Sequence, residues 1–386
     1  MTYYFDANAT TPLCDEAREA WCEMSKNHWH NPSSLYPQAV AAKEMLESLR
    51  AELAGLFDCD PSRVLFTSGA TEGNNAVLQH AARLLACSQQ HFVMSEIEHP
   101  CVADTAECLF DRERLLSVGV TSDGVLDDSA FESVLAANPV GFVSVIAANN
   151  ETGVIQPWAD VAQACRDQGI PFHCDAAQWI GKRPVTDLAQ CDFLTGSAHK
   201  FGGPPGIGFL LIPSESSFRG QIGGPQERGH RGGTENLPAI AAMVAALKSA
   251  AQHPTGQSRD RFEEDLTSCL EGTHILGKKA SRLPNTSMFI LPKHKNLRWL
   301  TRLGKRQIAV STGSACSAGA GHPSRVMQAM GCSFDEMGRA IRVSALPDAC
   351  DEHWEALLDA LLEVRDELES AHSSTEGIQK ISLENL

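Results

Sequence analysis

Short apolar runs bounded by glycine or proline alternate along the chain with segments whose apolar residues recur every three or four positions. The first pattern marks buried strands and the second amphipathic helices. Residues 1–13 read as extended, 15–24 as a helix and 28–37 as a polar loop with prolines. Val40, Leu46, Leu49 and Leu53 have the spacing of one helix over 38–57. Val64-Leu-Phe-Thr67 is a strand that enters Ser68-Gly-Ala-Thr-Glu-Gly73 and a helix through Leu85. Strand then helix repeats at 91–95 and 101–110, and again at 142–147 and 158–168. Further strands are expected at 171–175, 192–195 and 208–212. This order predicts an α/β fold with a mostly parallel sheet covered by helices on both faces. Such sheets bind ligands beyond the carboxyl ends of their strands. Thr71, His99, Asn150, Asp175 and Lys200 all fall at or just after predicted strands, on that one edge.

From about residue 252 the pattern changes. A charged helix at 259–270 precedes strand-like stretches at 286–291, 307–311 and 340–344, and an amphipathic helix at 351–368 follows. The chain is therefore expected to form a large domain over 14–251 and a smaller α/β domain from 1–13 and 252–386. Its last part, 373–386, is polar and expected to be mobile.

Composition narrows the choice of partners. The 386 residues suffice for two domains with sizeable cores, and 43% are hydrophobic. A net charge of −16 argues against a nucleic-acid or anionic-membrane surface. No apolar run is long enough to span a bilayer, and Met-Thr-Tyr-Tyr-Phe-Asp at the start does not read as a signal peptide. The 13 cysteines contain no Cys-x-x-Cys pair, so neither a metal site nor a disulfide scaffold is expected. A reducing cytoplasm with mostly buried thiols fits them.

The candidate chemistry centres on Leu194 to Gly208, where Lys200 sits between an apolar run and a Gly-Pro cluster. Partial desolvation there lowers the lysine pKa and frees the amine to attack a carbonyl. Ser197 and His199 flank it and can bind an anion. Ser68-Gly-Ala-Thr-Glu, with Ala70 and Thr71, is a strand-to-helix turn whose free amides suit a phosphate. Asp175 either caps a turn or pairs with a buried cation such as a pyridinium nitrogen. Gln178 can hydrogen-bond a ring substituent, and His99 can stack on a flat cofactor or carry protons. Asn150 lies in Asn149-Asn-Glu-Thr-Gly153, which reads as a plain turn. Cys316 lies in Ser311-Thr-Gly-Ser-Ala-Cys-Ser-Ala-Gly-Ala-Gly321, a run of small residues that offers no core to bury it. A thiol there can be a nucleophile.

Taken in order, these motifs resemble one family. Asp6-Ala-Asn-Ala-Thr-Thr-Pro, Asn31-Pro-Ser-Ser, Phe66-Thr-Ser-Gly-Ala-Thr-Glu, Glu98-His-Pro, Asn149-Asn-Glu-Thr-Gly-Val-Ile-Gln, His173-Cys-Asp-Ala-Ala-Gln, Ser197-Ala-His-Lys, Arg231-Gly-Gly-Thr-Glu-Asn, Gly313-Ser-Ala-Cys-Ser and Ile341-Arg-Val-Ser run from Asp6 to Ser344. The set is similar to cysteine desulfurases of NifS/IscS type, class V aminotransferases of pyridoxal-phosphate fold type I. The resemblance implies a seven-stranded, mostly parallel sheet in the large domain and pyridoxal 5'-phosphate as cofactor. It implies that Lys200 carries the cofactor as a Schiff base, with Asp175 on the ring nitrogen and Gln178 and Asn150 on the ring-oxygen side. His99 would stack on the ring, and Ala70, Thr71, Ser197 and His199 would hold the phosphate. Thr234 would reach the phosphate of a neighbouring subunit, which makes a homodimer. Arg342, with Asn150, would bind the substrate carboxylate.

The implied reaction takes L-cysteine to L-alanine. Lys200 would remove the Cα proton, and His99 would help deprotonate the substrate thiol or Cys316. Cys316 thiolate would attack the substrate sulfur and keep it as a persulfide for an acceptor protein. Other enzymes of this fold, a class V aminotransferase or a selenocysteine or cystine lyase, need Lys200 and Asp175 but not the Cys316 loop. A non-catalytic sulfur-relay subunit would not need Lys200. The chain departs from the family pattern at Tyr36, Ala39 and Pro225, in Ala-Leu-Pro after Ser344, and in a short stretch over 270–310.

Overall fold

The computed structural model describes residues 3–250, 256–313 and 323–383, with side chains to residue 370. After a two-residue strand β1 (Tyr3–Tyr4) come helices α1 (Asp15–Asn27) and α2 (Pro37–Leu56). The main sheet then uses β2 (Val64–Thr67), β3 (His91–Ser95), β4 (Leu115–Val118), β5 (Val140–Ser144), β6 (Phe172–Asp175), β7 (Phe193–Ser197) and β8 (Gly208–Leu211). Their order is β2-β8-β7-β6-β5-β3-β4. Strands β3 to β7 run parallel, and β8 is antiparallel to both neighbours. Helices α3 (Ala70–Leu85), α4 (Pro100–Leu109), α5 (Asp128–Ala137), α6 (Trp158–Asp167) and α7 (Leu237–Ser249) surround it.

Both faces of the sheet are buried, which is why its strands read as unbroken apolar runs. Successive residues serve opposite cores. Phe92, Phe142 and Phe193 join Leu78 of α3 and Val102 of α4. Val93, Val143 and Leu194 join Leu53 of α2, Val161 of α6 and Ile240 of α7. A third core gathers Phe289, Ile341, Trp299 and Trp354 around a second sheet. That sheet, in the order β12-β10-β9, is antiparallel and contains β9 (His274–Ile275), β10 (Thr286–Ile290) and β12 (Ala340–Ser344). Strand β11 (Ile308–Ala309) pairs with β1, so the beginning of the chain joins this second unit. Helices α8 (Gln257–Cys269), α9 (Asn296–Lys305) and a closing helix, Asp351–Leu383, cover it. A fourth cluster, Ile97 and Ile146 against Met288, Ile290 and Met327, locks the loops at the carboxyl edge of the main sheet onto the second sheet.

Some elements were not legible in advance. Helix α7 buries nine of its residues and is apolar all round, so no period of 3.6 marks it. Edge strand β4 buries only Val118, while α5 and α9 each bury only two residues. The closing helix runs to Leu383 where the pattern stops at 368, because 369–383 holds no proline and a single glycine, Gly377. The cysteines correct the expectation of mostly buried thiols. Among the twelve described, Cys165, Cys174 and Cys191 are buried, five are exposed and all are free. The exposed ones sit on solvent-facing helix positions, such as Cys22 in α1 and Cys108 in α4, or in loops and helix ends.

A buried ion pair sets the entrance to α3. Arg50 Nη1 and Nη2 donate to Glu227 at 2.7 and 2.8 Å, and Glu227 also accepts the Phe66 N–H at 3.0 Å. Breaking such a pair from one side costs about 3–5 kcal/mol, so the turn at 226–230 is fixed against β2. Further along, Arg231 holds Glu72 in the first turn of α3 at 2.9 Å, and Glu72 accepts the Ser68 N–H at 2.8 Å. No helix among the described residues is long and apolar enough to cross a membrane.

Candidate active site

A cavity of about 390 Å³ opens at the carboxyl edge of the main sheet. Strand β2 delivers Ser68 to Thr71, β3 leads to His99, β5 to Asn150, β6 ends at Asp175 with Gln178 following, and β7 ends at Ser197 with His199 and Lys200 following; all line the cavity. Nine residues expected from the sequence therefore meet there: Ala70, Thr71, His99, Asn150, Asp175, Gln178, Ser197, His199 and Lys200. A larger cavity of about 560 Å³ shares Lys200 with it. Its lining is mostly small and apolar, including Ala246, Ala250 and Ala345, and the convergent polar groups lie in the smaller one.

Helix α3 starts without a side-chain cap, and Gly69 before it takes φ 151°, which glycine tolerates. The first amides of the helix therefore remain available beside the Ser68, Thr71 and Ser197 hydroxyls. Asp175 is held in place: its Oδ2 accepts Asn74 Nδ2 at 2.7 Å and its Oδ1 accepts the Ala177 N–H at 3.0 Å. Lys200 Nζ donates to the carbonyls of Asn8 and Ala9 at 2.7 and 2.8 Å.

The protonation pattern follows from burial. His199 is pushed down to about 4, first by desolvation and then by Lys200 and Lys182, so it is neutral near pH 7. Desolvation, then Lys200, also lowers His99 despite Asp175 nearby. His99 Nδ1 accepts the Cys101 backbone N–H at 3.2 Å, so the neutral ring carries its hydrogen on Nε2. Cys101 lines the cavity, with its Sγ 3.0 Å from His99 Nδ1 and 3.1 Å from Asn74 Nδ2. Burial and then Asp175 push that thiol up to about 12, so it stays protonated.

Glu98 lies just behind the site. Its Oε1 accepts the Ile146 N–H at 2.7 Å, and its Oε2 is buried with no partner among the described residues. Burial and then Asp175 raise its pKa well above 4.5. A raised folded-state pKa means that the unfolded chain gives up this proton first. Stability therefore falls as pH climbs from about 4.5 through the raised value, and stays lower above it. Glu98→Gln keeps the acceptor and cannot ionise. Its melting temperature relative to the parent is expected to rise as pH climbs above about 4.5, in thermal melts over a pH series, until the parent's Glu98 ionises in the folded state. A pH-independent difference would show that Glu98 is not buried as an acid.

Two expected residues do not line this cavity, and a third is not among the described residues. Arg342 is buried next to the site, donating Nη1 to the Asn150 and Gly313 carbonyls at 3.0 and 2.8 Å and Nη2 to Asp6 Oδ1 at 2.5 Å. Thr234 lines a separate pocket with Trp29, His30 and Asn31. Cys316 lies outside the described residues. The described chain flanking it is anchored on the segment of Asn150 and Glu151: Gly313 through Arg342, which also binds the Asn150 carbonyl, and Ser324 by a 2.6 Å bond from its Oγ to Glu151 Oε2.

Sequence reasoning missed Asn8, which ties the site together. Its carbonyl accepts Lys200 Nζ and Gln178 Nε2, and its Oδ1 accepts Lys182 Nζ at 3.0 Å. Its Nδ2 donates to the Asn150 carbonyl at 3.1 Å and to Thr286 Oγ1 at 2.9 Å, while its N–H donates to Ser344 Oγ at 3.0 Å. Only its place in Asp6-Ala-Asn-Ala-Thr-Thr-Pro marked it. Asn74 was also missed; its position one turn after Thr71 on α3 was the available signal.

A lysine, a fixed carboxylate and an uncapped helix start share one cavity, and the chain belongs to the class V aminotransferases, whose family model it matches over residues 3–357. Within them it falls among relatives of NifS/IscS type. It is 34% identical over 375 residues to a cysteine desulfurase of Nostoc sp., covering 95% of this chain and 92% of that one. It is 36% identical to a cysteine desulfurase of Cereibacter sphaeroides, with 94% of each chain covered. A solved NifS-like protein superimposes with a TM-score of 0.86 at 30% identity, covering 95% of this chain and all of that one. Among the described residues no group of three or more His, Cys, Asp or Glu could hold a metal ion.

Proposed function

We propose that the protein is a pyridoxal-phosphate-dependent cysteine desulfurase that turns L-cysteine into L-alanine and passes the sulfur to Cys316. The observation that carries this reading is that Lys200 and Asp175 face one cavity beneath the uncapped start of α3. The residues fit the cofactor: amides and hydroxyls of Ser68 to Thr71 with Ser197 for the phosphate, Asp175 for the ring nitrogen, Gln178 for the ring oxygen and Lys200 Nζ for attachment. When bound, pyridoxal phosphate supplies an electron sink that weakens bonds at the substrate Cα.

The chain's own residues supply the rest. Lys200 Nζ, directed by the Asn8 and Ala9 carbonyls, takes the Cα proton. His99 presents Nε2–H to the cavity and therefore acts there first as a donor. Cys316 as thiolate attacks the substrate sulfur; the Cβ–S bond breaks with its electron pair left on Cβ, which takes up a proton to become the methyl group of alanine, and the sulfur stays on Cys316 as a persulfide. Arg342 is already engaged with Asp6, so its clamping of the substrate carboxylate requires it to share or exchange that partner.

Several further points belong to the same reading. The large domain is 14–251, and 1–13 with 252–386 form the small one, in keeping with their separate cores. Two copies form a dimer in which Thr234 reaches the neighbour's phosphate, and the exposed Trp29, which lines the same pocket as Thr234, supports a partner on that side. A sulfur-acceptor protein receives the persulfide, and the cytoplasm is the compartment, supported by the free described thiols. With L-cysteine as sole substrate, alanine and transferable sulfur are expected in equal amounts, measured by amino-acid analysis and sulfide assay. Turnover of a keto acid without release of sulfur would overturn the assignment in favour of an aminotransferase.

A further inference from the structure

Lys182 is a buried lysine that the proposed reaction leaves without a task. It is only 6% exposed, yet its Nζ donates to Gln178 Oε1 at 2.5 Å and to Asn8 Oδ1 at 3.0 Å. A lysine offers N–H donors to these two oxygens, so the Gln178 amide must present its oxygen to it. The amide nitrogen then faces the other way, where one of its hydrogens meets the Asn8 carbonyl at 2.9 Å. Because Gln178 lines the cavity, the second Nε2 hydrogen is the donor it offers there.

We propose that Lys182 is a positioning residue which locks the Gln178 amide with Nε2 toward the cofactor cavity. The inference rests on the reading of that cavity as a pyridoxal-phosphate site. The same lysine binds the side chain of Asn8, whose carbonyl receives Lys200, so one buried group orders both the ring-oxygen contact and the attachment amine. Lys200 and Arg342 are the charged groups that Lys182 faces, and they add to desolvation in holding its pKa well below 10.5; His199 feels it in turn. Without Lys182, the buried Gln178 oxygen loses its donor and the amide is free to turn over. The cavity would then receive an acceptor where it now has a donor.

The test uses the cofactor-loaded protein and its visible absorption, titrated with pH. A donor on the ring oxygen stabilises the oxygen as an anion and so lowers the proton affinity of the Lys200 nitrogen beside it. Lys182→Met is expected to raise the titration midpoint by about one pH unit. Gln178→Met should move it the same way, and the double variant should go no further than the larger single change. Lys182→Gln keeps an N–H donor for the Gln178 oxygen and should restore the parent midpoint. An unchanged midpoint in Lys182→Met, or shifts that simply add, would overturn the positioning role. Should Lys182→Met not fold, Gln178→Met decides alone: no rise there overturns it and a rise supports it. A parent protein that takes up no coloured cofactor removes the pocket assignment, and the positioning role with it. A coloured parent with unshifted variants removes only the latter.

Discussion

Cys316→Ser is expected to give a protein that binds pyridoxal phosphate and keeps its yellow colour, yet forms no persulfide. After incubation with L-cysteine, the parent should gain one sulfur atom on the peptide containing Cys316, read by mass spectrometry, and the variant none. Turnover should fall at least about 10³-fold, as when a covalent nucleophile is removed and only binding and positioning remain. A serine hydroxyl is far less ionised than a thiol near neutral pH and cannot replace it. None of the twelve described cysteines is placed to substitute. Cys101 alone among them lines the cavity, and its proton affinity, at about 12, keeps it a thiol. Full sulfur release by Cys316→Ser would transfer the sulfur-accepting role to another group.

Lys200→Ala should abolish covalent attachment of the cofactor. Borohydride treatment should fix a pyridoxyl label on the parent at Lys200 and leave the variant unlabelled. Alanine formation should drop by about 10³–10⁴-fold, because both the attachment point and the proton acceptor at Cα are gone. The fold should survive. Lys200 is only half-buried, and the Asn8 and Ala9 carbonyls that it serves lie at the cavity wall, where water can replace it. A labelled residue other than Lys200 in the parent would contradict the site.

Much of this architecture can be read from the chain because a parallel sheet ties function to position. Strands buried on both faces announce themselves as apolar runs, and whatever follows them stands on the ligand edge. That is how Thr71, His99, Asp175 and Lys200 could be placed together. Asn8 could not be placed so. It follows no long strand, and its partners are set by pairing between β1, β11 and β12, up to 336 residues away. Lys182 has a different cause. Four positions after Gln178 in a run of turns, it shows no pattern until the Gln178 oxygen is seen opposite it. Helix α7 was hidden by being apolar on every side, and the thiol exposures were hidden because cysteine serves equally on either face of a helix. The motif around Asn150 reads as an ordinary turn, and Arg342, which grips both the Asn150 and Gly313 carbonyls, shows that it shares one wall with the run that starts at Ser311.

The placement of Asn8 also bears on when the enzyme can become active during its own synthesis. The main sheet and its helices have all been made by residue 250, and can pack their two cores once that stretch has left the ribosome. The asparagine that steers Lys200 is still waiting for Thr286 and Ser344. A nascent chain that carries every strand of the main sheet therefore cannot complete the bonds of Asn8 until β12 is made. Termination between residue 250 and β12 leaves the main sheet and its helices without the partners of Asn8.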